Sequence, residues 1–355
     1  MKVSRANFGT LCDGSKVKIF TVSNGKMSFS ATEFGCTITS IKLLNKKGVF
    51  DDIVLGYSTL DDYVRSPNLC FGSLVGRFAN RIGGGTVKIG KKKYELDKND
   101  NSRNCLHGGF NGYSKMVWKG EPIETKHEAG VRFSRLSPDS EQGFPGNLQI
   151  TVTYLLDDDN NLKLTYIAKT DKETPVNITN HSYFNLAGKG SAHDHKIQLL
   201  CDYNLEKDDY LIPTGKFCKT AGTPYDFRNI SELGKSLEKM KPGYDDCYVT
   251  NVYDPELKNL NSTVHAEKIV RAAVVKEETS GRTMTVDTNQ EGIQFYTANW
   301  IEGVIGKNGT VYHSHDGICL ETQCFPDSPN KKDFPSCILT PDAEYKAVTI
   351  YGFSF

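Results

Sequence analysis

The chain has 355 residues, and 43 Lys plus Arg are balanced by 43 Asp plus Glu, so the formal net charge is zero. That balance, with no long block of one sign, argues against a nucleic-acid or anionic-membrane partner, which is ordinarily met by a basic face. The N-terminus MKVSRANFGTLCDGSKVKIF lacks the apolar run of a signal peptide, and no stretch approaches the roughly 20 apolar residues of a spanning helix, so a soluble, cytoplasmic protein is expected.

Thirty-two glycines and 10% aromatic residues, with few apolar residues at three-and-four spacing, point to strands and turns. Lys16 to Val22 alternates, Asn24-Gly25 is a two-residue hairpin signal, and Lys26 to Thr32 alternates again. A second hairpin is expected from Gln149–Leu155 and Leu162–Ala168 around DDDNN. Ser231 to Met240 reads as a short helix, with Ser231 and Glu232 at its start and Pro242 as its stop. The polar segment 259–269 (NLNSTVHAEKI) reads as an inserted loop, and a third hairpin joins Ala272–Lys276 to Thr283–Val286 around Ser280-Gly281. No Pro/Gly/Ser linker and no repeat of constant period divides the chain. The expectation is all-β: one large antiparallel β-sandwich domain spanning residues 1–355, with many strands and few short helices.

Ten cysteines at 12, 36, 70, 105, 201, 218, 247, 319, 324 and 337 form no C-x-x-C pair and read as reduced, mostly buried thiols. The short-spaced pairs His193/His195 and His313/His315, each beside an aspartate, would share a face if extended; solvated turn histidines are the simpler reading.

Four segments break the strand rhythm with dense polar chemistry: FGSLVGRFANRIGGG (71–85), NCLHGG (104–109), NITNHSYFNLAG (177–188) and CLETQCFPDSPN (319–330). In the first, Arg77 and Arg81 share a face of extended chain and by themselves read as surface arginines at a strand end, with Asn80 opposite unless the chain bends. His107 precedes Gly108-Gly109, which permits a sharp turn or close backbone approach. His181 lies among polar and aromatic neighbours. Glu321 follows the apolar Ile318-Cys319, so a strand delivers a carboxylate toward an interior or cleft, where carboxylates are rare unless paired or functional.

Together these segments resemble the aldose 1-epimerases. The resemblance runs in order from about residue 8 to the C-terminus and is carried by GRFANRI, LHGG, NHSYFNLAG with YLIPTG (210–215), and GIQFYTANW (292–300) leading to the ETQ-x-FPD-x-xN block at 321–330. It implies a large antiparallel sandwich (supersandwich). It also implies Glu321 as general base and His181 as general acid, with Asn80, Arg81, His107, Asp245 and Gln294 as the sugar-binding set. The chain departs from the family pattern at Cys105, where Ser or His is common, at Asp246 directly after Asp245, and in the 259–269 segment.

The implied activity is interconversion of the α and β anomers of a free aldose such as galactose or glucose, in hexose metabolism. A proton leaves the C1 hydroxyl while the ring oxygen gains one, the C1–C2 bond rotates, and the ring recloses. Acid and base are expected on opposite sides of the sugar. An ordinary Glu near ~4.3 would be ionised and a His near ~6.5 partly protonated at neutral pH. No cofactor or metal is required. The expected partner is a small aldose, and the assembly a monomer or weak homodimer. Tyr183, Phe184, Phe295 and Tyr296 are candidates to cover the apolar face of the sugar. Two other readings use the same scaffold: a hexose-6-phosphate 1-epimerase, for which Arg77 would be an extra cation, and a carbohydrate-binding or sensing module, which would not need Glu321 and His181. A glycosidase would need two carboxylates straddling a bond.

Overall fold

The computed structural model describes residues 1–66, 69–256 and 268–355. All but the last two residues of the 259–269 segment lie outside the described residues. The first hairpin joins Lys16–Ser23 to Met27–Thr32. Its turn is held by Asn24, whose Oδ1 accepts the Lys26 and Met27 N–H groups at 2.9 and 2.8 Å, while Gly25 takes φ +90° at no steric cost. The DDDNN hairpin forms between Leu148–Asp157 and Asn161–Thr170, and the Ser280-Gly281 hairpin between Val270–Glu277 and Arg282–Thr288. Leu148–Asp157 shows the cause of its own placement, since buried and accessible residues alternate along it with the period of two that a half-buried sheet requires.

Nine strands form the largest sheet, whose centre runs Glu128–Ser137, Leu148–Asp157, Asn161–Thr170, Tyr345–Ser354, Arg282–Thr288 and Val270–Glu277. A five-stranded sheet holds the N-terminal strands from Lys2–Thr10 to Phe50–Asp52. Another has the order Pro213–Lys219, Tyr203–Lys207, Asp245–Val249, Gly292–Tyr296, Cys319–Gln323. One apolar core unites all three sheets: Phe20, Phe29 and Ile41 from the first, Phe133, Val152, Leu164 and Met284 from the largest, and Tyr248, Ile293, Phe295 and Leu320 from the last. Sheet is therefore packed on sheet, the arrangement that buries one face of each.

The helix expected over Ser231 to Met240 contracts to Leu233–Leu237. Ser231 and Glu232 are taken instead by an edge pairing with Ile197 and Lys196, and no side chain caps the helix. A second short helix, Leu60–Arg65, carries as its sequence signal only the capping box Thr59/Asp62. The expected reduced, mostly buried thiols are present: all ten cysteines are free and seven are buried. Among the described residues, no helix is long and apolar enough to cross a membrane.

Candidate active site

One wall of the site is a face of the second five-stranded sheet. Register places Asp245 opposite Tyr296, Gln294 opposite Glu321, and Tyr296 opposite Cys319. Alternation sends Tyr248, Ile293, Phe295 and Leu320 into the core, so Asp245, Gln294, Tyr296, Cys319 and Glu321 share the other face. The same period separates the two adjacent aspartates. Asp245 faces the site, where its Oδ1 accepts from Gln294 Nε2 at 2.6 Å, while buried Asp246 is paired with Lys207 Nζ at 2.6 Å.

The other wall is irregular chain. Arg81–Ile82 pairs with Cys105–Leu106, and the bend at Asn80 (φ +64°) turns Arg81 away from Arg77. The expected shared face and surface exposure fail for this reason. Arg77 is buried at 2% exposure, its guanidinium donating to the carbonyls of Pro145 and Gly146 at 2.8 and 2.9 Å and to Ser137 Oγ at 2.6 Å. Arg81 instead enters the site, its Nε 3.1 Å from Asp100 Oδ2 and its NH1 4.0 Å from Asp245 Oδ2. Asn80 and His107 tie the two segments together: the His107 N–H donates to Asn80 O at 3.1 Å and the Asn80 N–H donates to His107 Nδ1 at 3.2 Å. A neutral His107 that accepts at Nδ1 carries its proton on Nε2 and can donate from there. Gly108 is needed beside it, because at φ +88° a Cβ would fall 1.9 Å from Gly76 O.

The walls enclose a pocket of about 200 Å³ lined by all seven residues expected from the sequence, together with Leu69, Leu106, Tyr183, Tyr296 and Trp300. Of the four aromatic candidates, Tyr183 and Tyr296 face this pocket, whereas Phe184 and Phe295 belong to the core. Tyr183 stacks on the His181 ring at 4.9 Å and 16°, fixing its plane, and its hydroxyl donates to Leu69 O at 2.9 Å. His181 Nδ1 lies 3.5 Å from Cys319 Sγ, and its Nε2 lies 3.6 Å from Glu321 Oε1. Glu321 Oε2 and Gln294 Oε1 are buried and find no hydrogen-bond partner among the described residues.

Two expectations change here. His181 and Glu321 stand side by side rather than on opposite sides of a ligand. That suits the chemistry, since the hydroxyl and ring oxygens are both bonded to C1. The resting charges also differ from those of free side chains. Burial pushes the Glu321 carboxyl well above its ordinary range, Asp245 adds to the rise, and Arg81 opposes it. Burial draws His181 down to about 4. The Nε2–Oε1 approach would permit an ion pair, but desolvation of both partners favours the neutral pair, with the proton on the carboxyl. His107 is held well below its ordinary value by burial and by nearby His181 and Arg81, which agrees with its accepting Nδ1.

The histidine pairs are rearranged as well. His195 is not a solvated turn residue: it is buried, and its Nε2 accepts the Leu186 N–H at 2.8 Å. His193 instead meets His315 with ring centroids 5.6 Å apart, and His313 pairs with Glu302 at 2.6 Å. Asp100, Cys319 and Trp300 were not singled out from sequence. Asp100 is polar chain with no motif of its own, and Trp300 stood inside GIQFYTANW without an assigned part.

The aldose 1-epimerase family model matches residues 18–352 of the chain. The chain is 40% identical to galactose mutarotase of Mus musculus over 359 aligned positions, covering 100% of this chain and 99% of that protein. It is 32% identical to aldose 1-epimerase of Escherichia coli over 350 positions, covering 96% of each. Among solved structures, galactose 1-epimerase from Lactobacillus acidophilus is similar at a TM-score of 0.84 and 28% identity, over 99% of this chain and 98% of that one.

Proposed function

The chain belongs to the aldose 1-epimerase family, and from that membership we propose that it is a mutarotase interconverting the anomers of a free aldohexose, with Glu321 and His181 as its proton-transfer pair. The observation that carries this reading is convergence. Seven polar residues from six separated stretches of chain line one pocket of about 200 Å³, with a carboxylate and an imidazole 3.6 Å apart inside it.

The pair holds one proton, and one is what the reaction needs. Passing it from Glu321 Oε1 to His181 Nε2 gives a carboxylate beside an imidazolium. Glu321 then takes the proton of the C1 hydroxyl while His181 gives its proton to the ring oxygen. The C1–O5 bond breaks, leaving the open-chain aldehyde. Rotation about C1–C2 presents the other carbonyl face, and the same two transfers run in reverse as the ring closes. The pair ends with the single proton it began with. Arg81, held by Asp100, supplies fixed donors for charge growing on the C1 or ring oxygen. Asp245, Gln294, Asn80 and the Nε2–H of His107 hold the hydroxyls that do not react. Tyr183, Tyr296 and Trp300 offer apolar surface to the ring.

The phosphorylated-substrate reading loses its extra cation, because the Arg77 guanidinium is spent on buried carbonyls. A second carboxylate, Asp245, does line the pocket, but it is engaged by Gln294 and Arg81 rather than set free for a glycosidase role. Free thiols at all ten cysteines support a reducing, cytoplasmic setting, and a pocket lined from one chain fits a monomer or weak homodimer. The deciding experiment is polarimetry on freshly dissolved α-D-galactose and α-D-glucose, with and without the protein. Rotation that relaxes no faster with the protein than without it, while galactose still binds, would reduce it to a sugar-binding module.

A further inference from the structure

The reaction uses two members of a three-residue cluster. His181, Cys319 and Glu321 each offer a donor atom, and the three atoms lie within 4.8 Å of one another, all buried. Cys319 and Glu321 are two apart on one strand and so share its pocket-facing side, and each approaches the His181 ring: Sγ is 3.5 Å from Nδ1 and Oε1 is 3.6 Å from Nε2. Among the described residues, Glu321 Oε2 has no hydrogen-bond partner. A buried thiol that no proposed step of anomer exchange uses, set beside both proton-transfer groups, is a binding capacity the sugar chemistry does not explain.

We propose that His181, Cys319 and Glu321 form an inhibitory site for a thiophilic divalent cation of the Zn²⁺ type, which occupies both proton-transfer groups at once and excludes the sugar. One sulfur, one imidazole nitrogen and one carboxylate oxygen are the donors such a cation takes, and three protein ligands with a fourth position open to the pocket is its common incomplete tetrahedron. An imidazole holds one ion through one ring nitrogen, so with the ion at Nε2 beside Glu321 the Cys319 side chain must rotate toward it from Nδ1; bonds of about 2.0–2.3 Å then require the widest separation to close by roughly 1 Å. Hard cations such as Mg²⁺ and Ca²⁺ are disfavoured by the thiol and imidazole. On binding, the Cys319 thiol proton and the proton shared by the pair leave to solvent, and the metal takes their place. The metal-bound pair then has neither a free base nor a free acid.

The inhibition half of this proposal rests on the mutarotase reading; the binding half does not. The test uses the full chain stripped with chelator, in wild-type form and as Cys319→Ser, a near-isosteric change at a group that moves no proton. Titration calorimetry with ZnCl2 and the ultraviolet thiolate-to-metal band formed with Cd²⁺ report binding. Polarimetry with α-D-galactose reports inhibition. The expected result is a Zn²⁺ affinity at least tenfold weaker in Cys319→Ser, a Cd²⁺ band diminished in that variant, and a wild-type KM for galactose that rises with Zn²⁺ while kcat holds. Equal affinity and equal band in the two proteins would overturn the site, and inhibition that galactose cannot relieve would overturn the exclusion of sugar. A chain that binds Zn²⁺ through Cys319 yet never turns over sugar would sink the mutarotase reading and leave the binding site standing.

Discussion

The protonation of His181 offers the sharpest test of the site, because burial and ordinary solution behaviour give opposite answers at one accessible pH. With its imidazolium disfavoured to about 4, His181 at pH 6 should be about 1% protonated, whereas an imidazole at the ordinary ~6.5 would be about 76% protonated. The difference is about 3 kcal/mol against the charged ring. It arises because Tyr183, Cys319 and the pocket walls replace water around the ring. The sign for catalysis follows. Activity needs one proton on the pair, so kcat/KM should be lost as pH falls through about 4, where a second proton removes the base, and again as pH rises through the elevated Glu321 value, where the last proton leaves. The assay is a titration of the histidine ¹⁵N resonances, with His181→Asn used to assign the signal. The accompanying kcat/KM at pH 5 should stay within about a tenth of its plateau. A His181 resonance titrating near 6.5 would refute the argument and show that the pocket stays wet enough to solvate an imidazolium.

Glu321→Gln and His181→Asn should each lower kcat by about a hundredfold or more, read by polarimetry, with circular dichroism confirming the fold; near-normal turnover in either would remove that residue from the proton-transfer pair. Arg81→Ala should lower kcat markedly, whereas His107→Ala should combine a moderate loss of kcat with a higher KM, since a donor to developing charge acts in the transition state and a hydroxyl donor acts in both states. An unchanged kcat in folded Arg81→Ala would demote the guanidinium to a positional part. Arg77→Met leaves several buried acceptors without a donor and should cost about 3–5 kcal/mol, a fall in Tm of roughly 5 °C at this chain length, measured by calorimetry. An unchanged Tm would mean the carbonyl cage does not hold that segment.

The sequence by itself determined whatever depends on near neighbours. Asn24-Gly25 makes its hairpin because an Asx side chain and a positive-φ glycine close the turn locally, and Leu148–Asp157 alternates because a pleat has a period of two. The family resemblance carried by the ordered motifs also brought out seven of the twelve residues that line the pocket. What they could not carry was direction and environment. Arg77 and Arg81 look equivalent in extended chain, and only the bend at Asn80 sends one into a cage of carbonyls and the other into the site. Asp245 and Asp246 are distinguished by strand register, which rests on pairing with Gly292–Tyr296, nearly fifty residues away in the chain. Ser231 and Glu232 were spelled like a helix start, but an edge strand beginning at Lys196 claimed their backbone. The charges on His181 and Glu321 were beyond reach for the same reason, since a pKa is set by the water a side chain loses, and that loss is decided by chain segments far away in sequence.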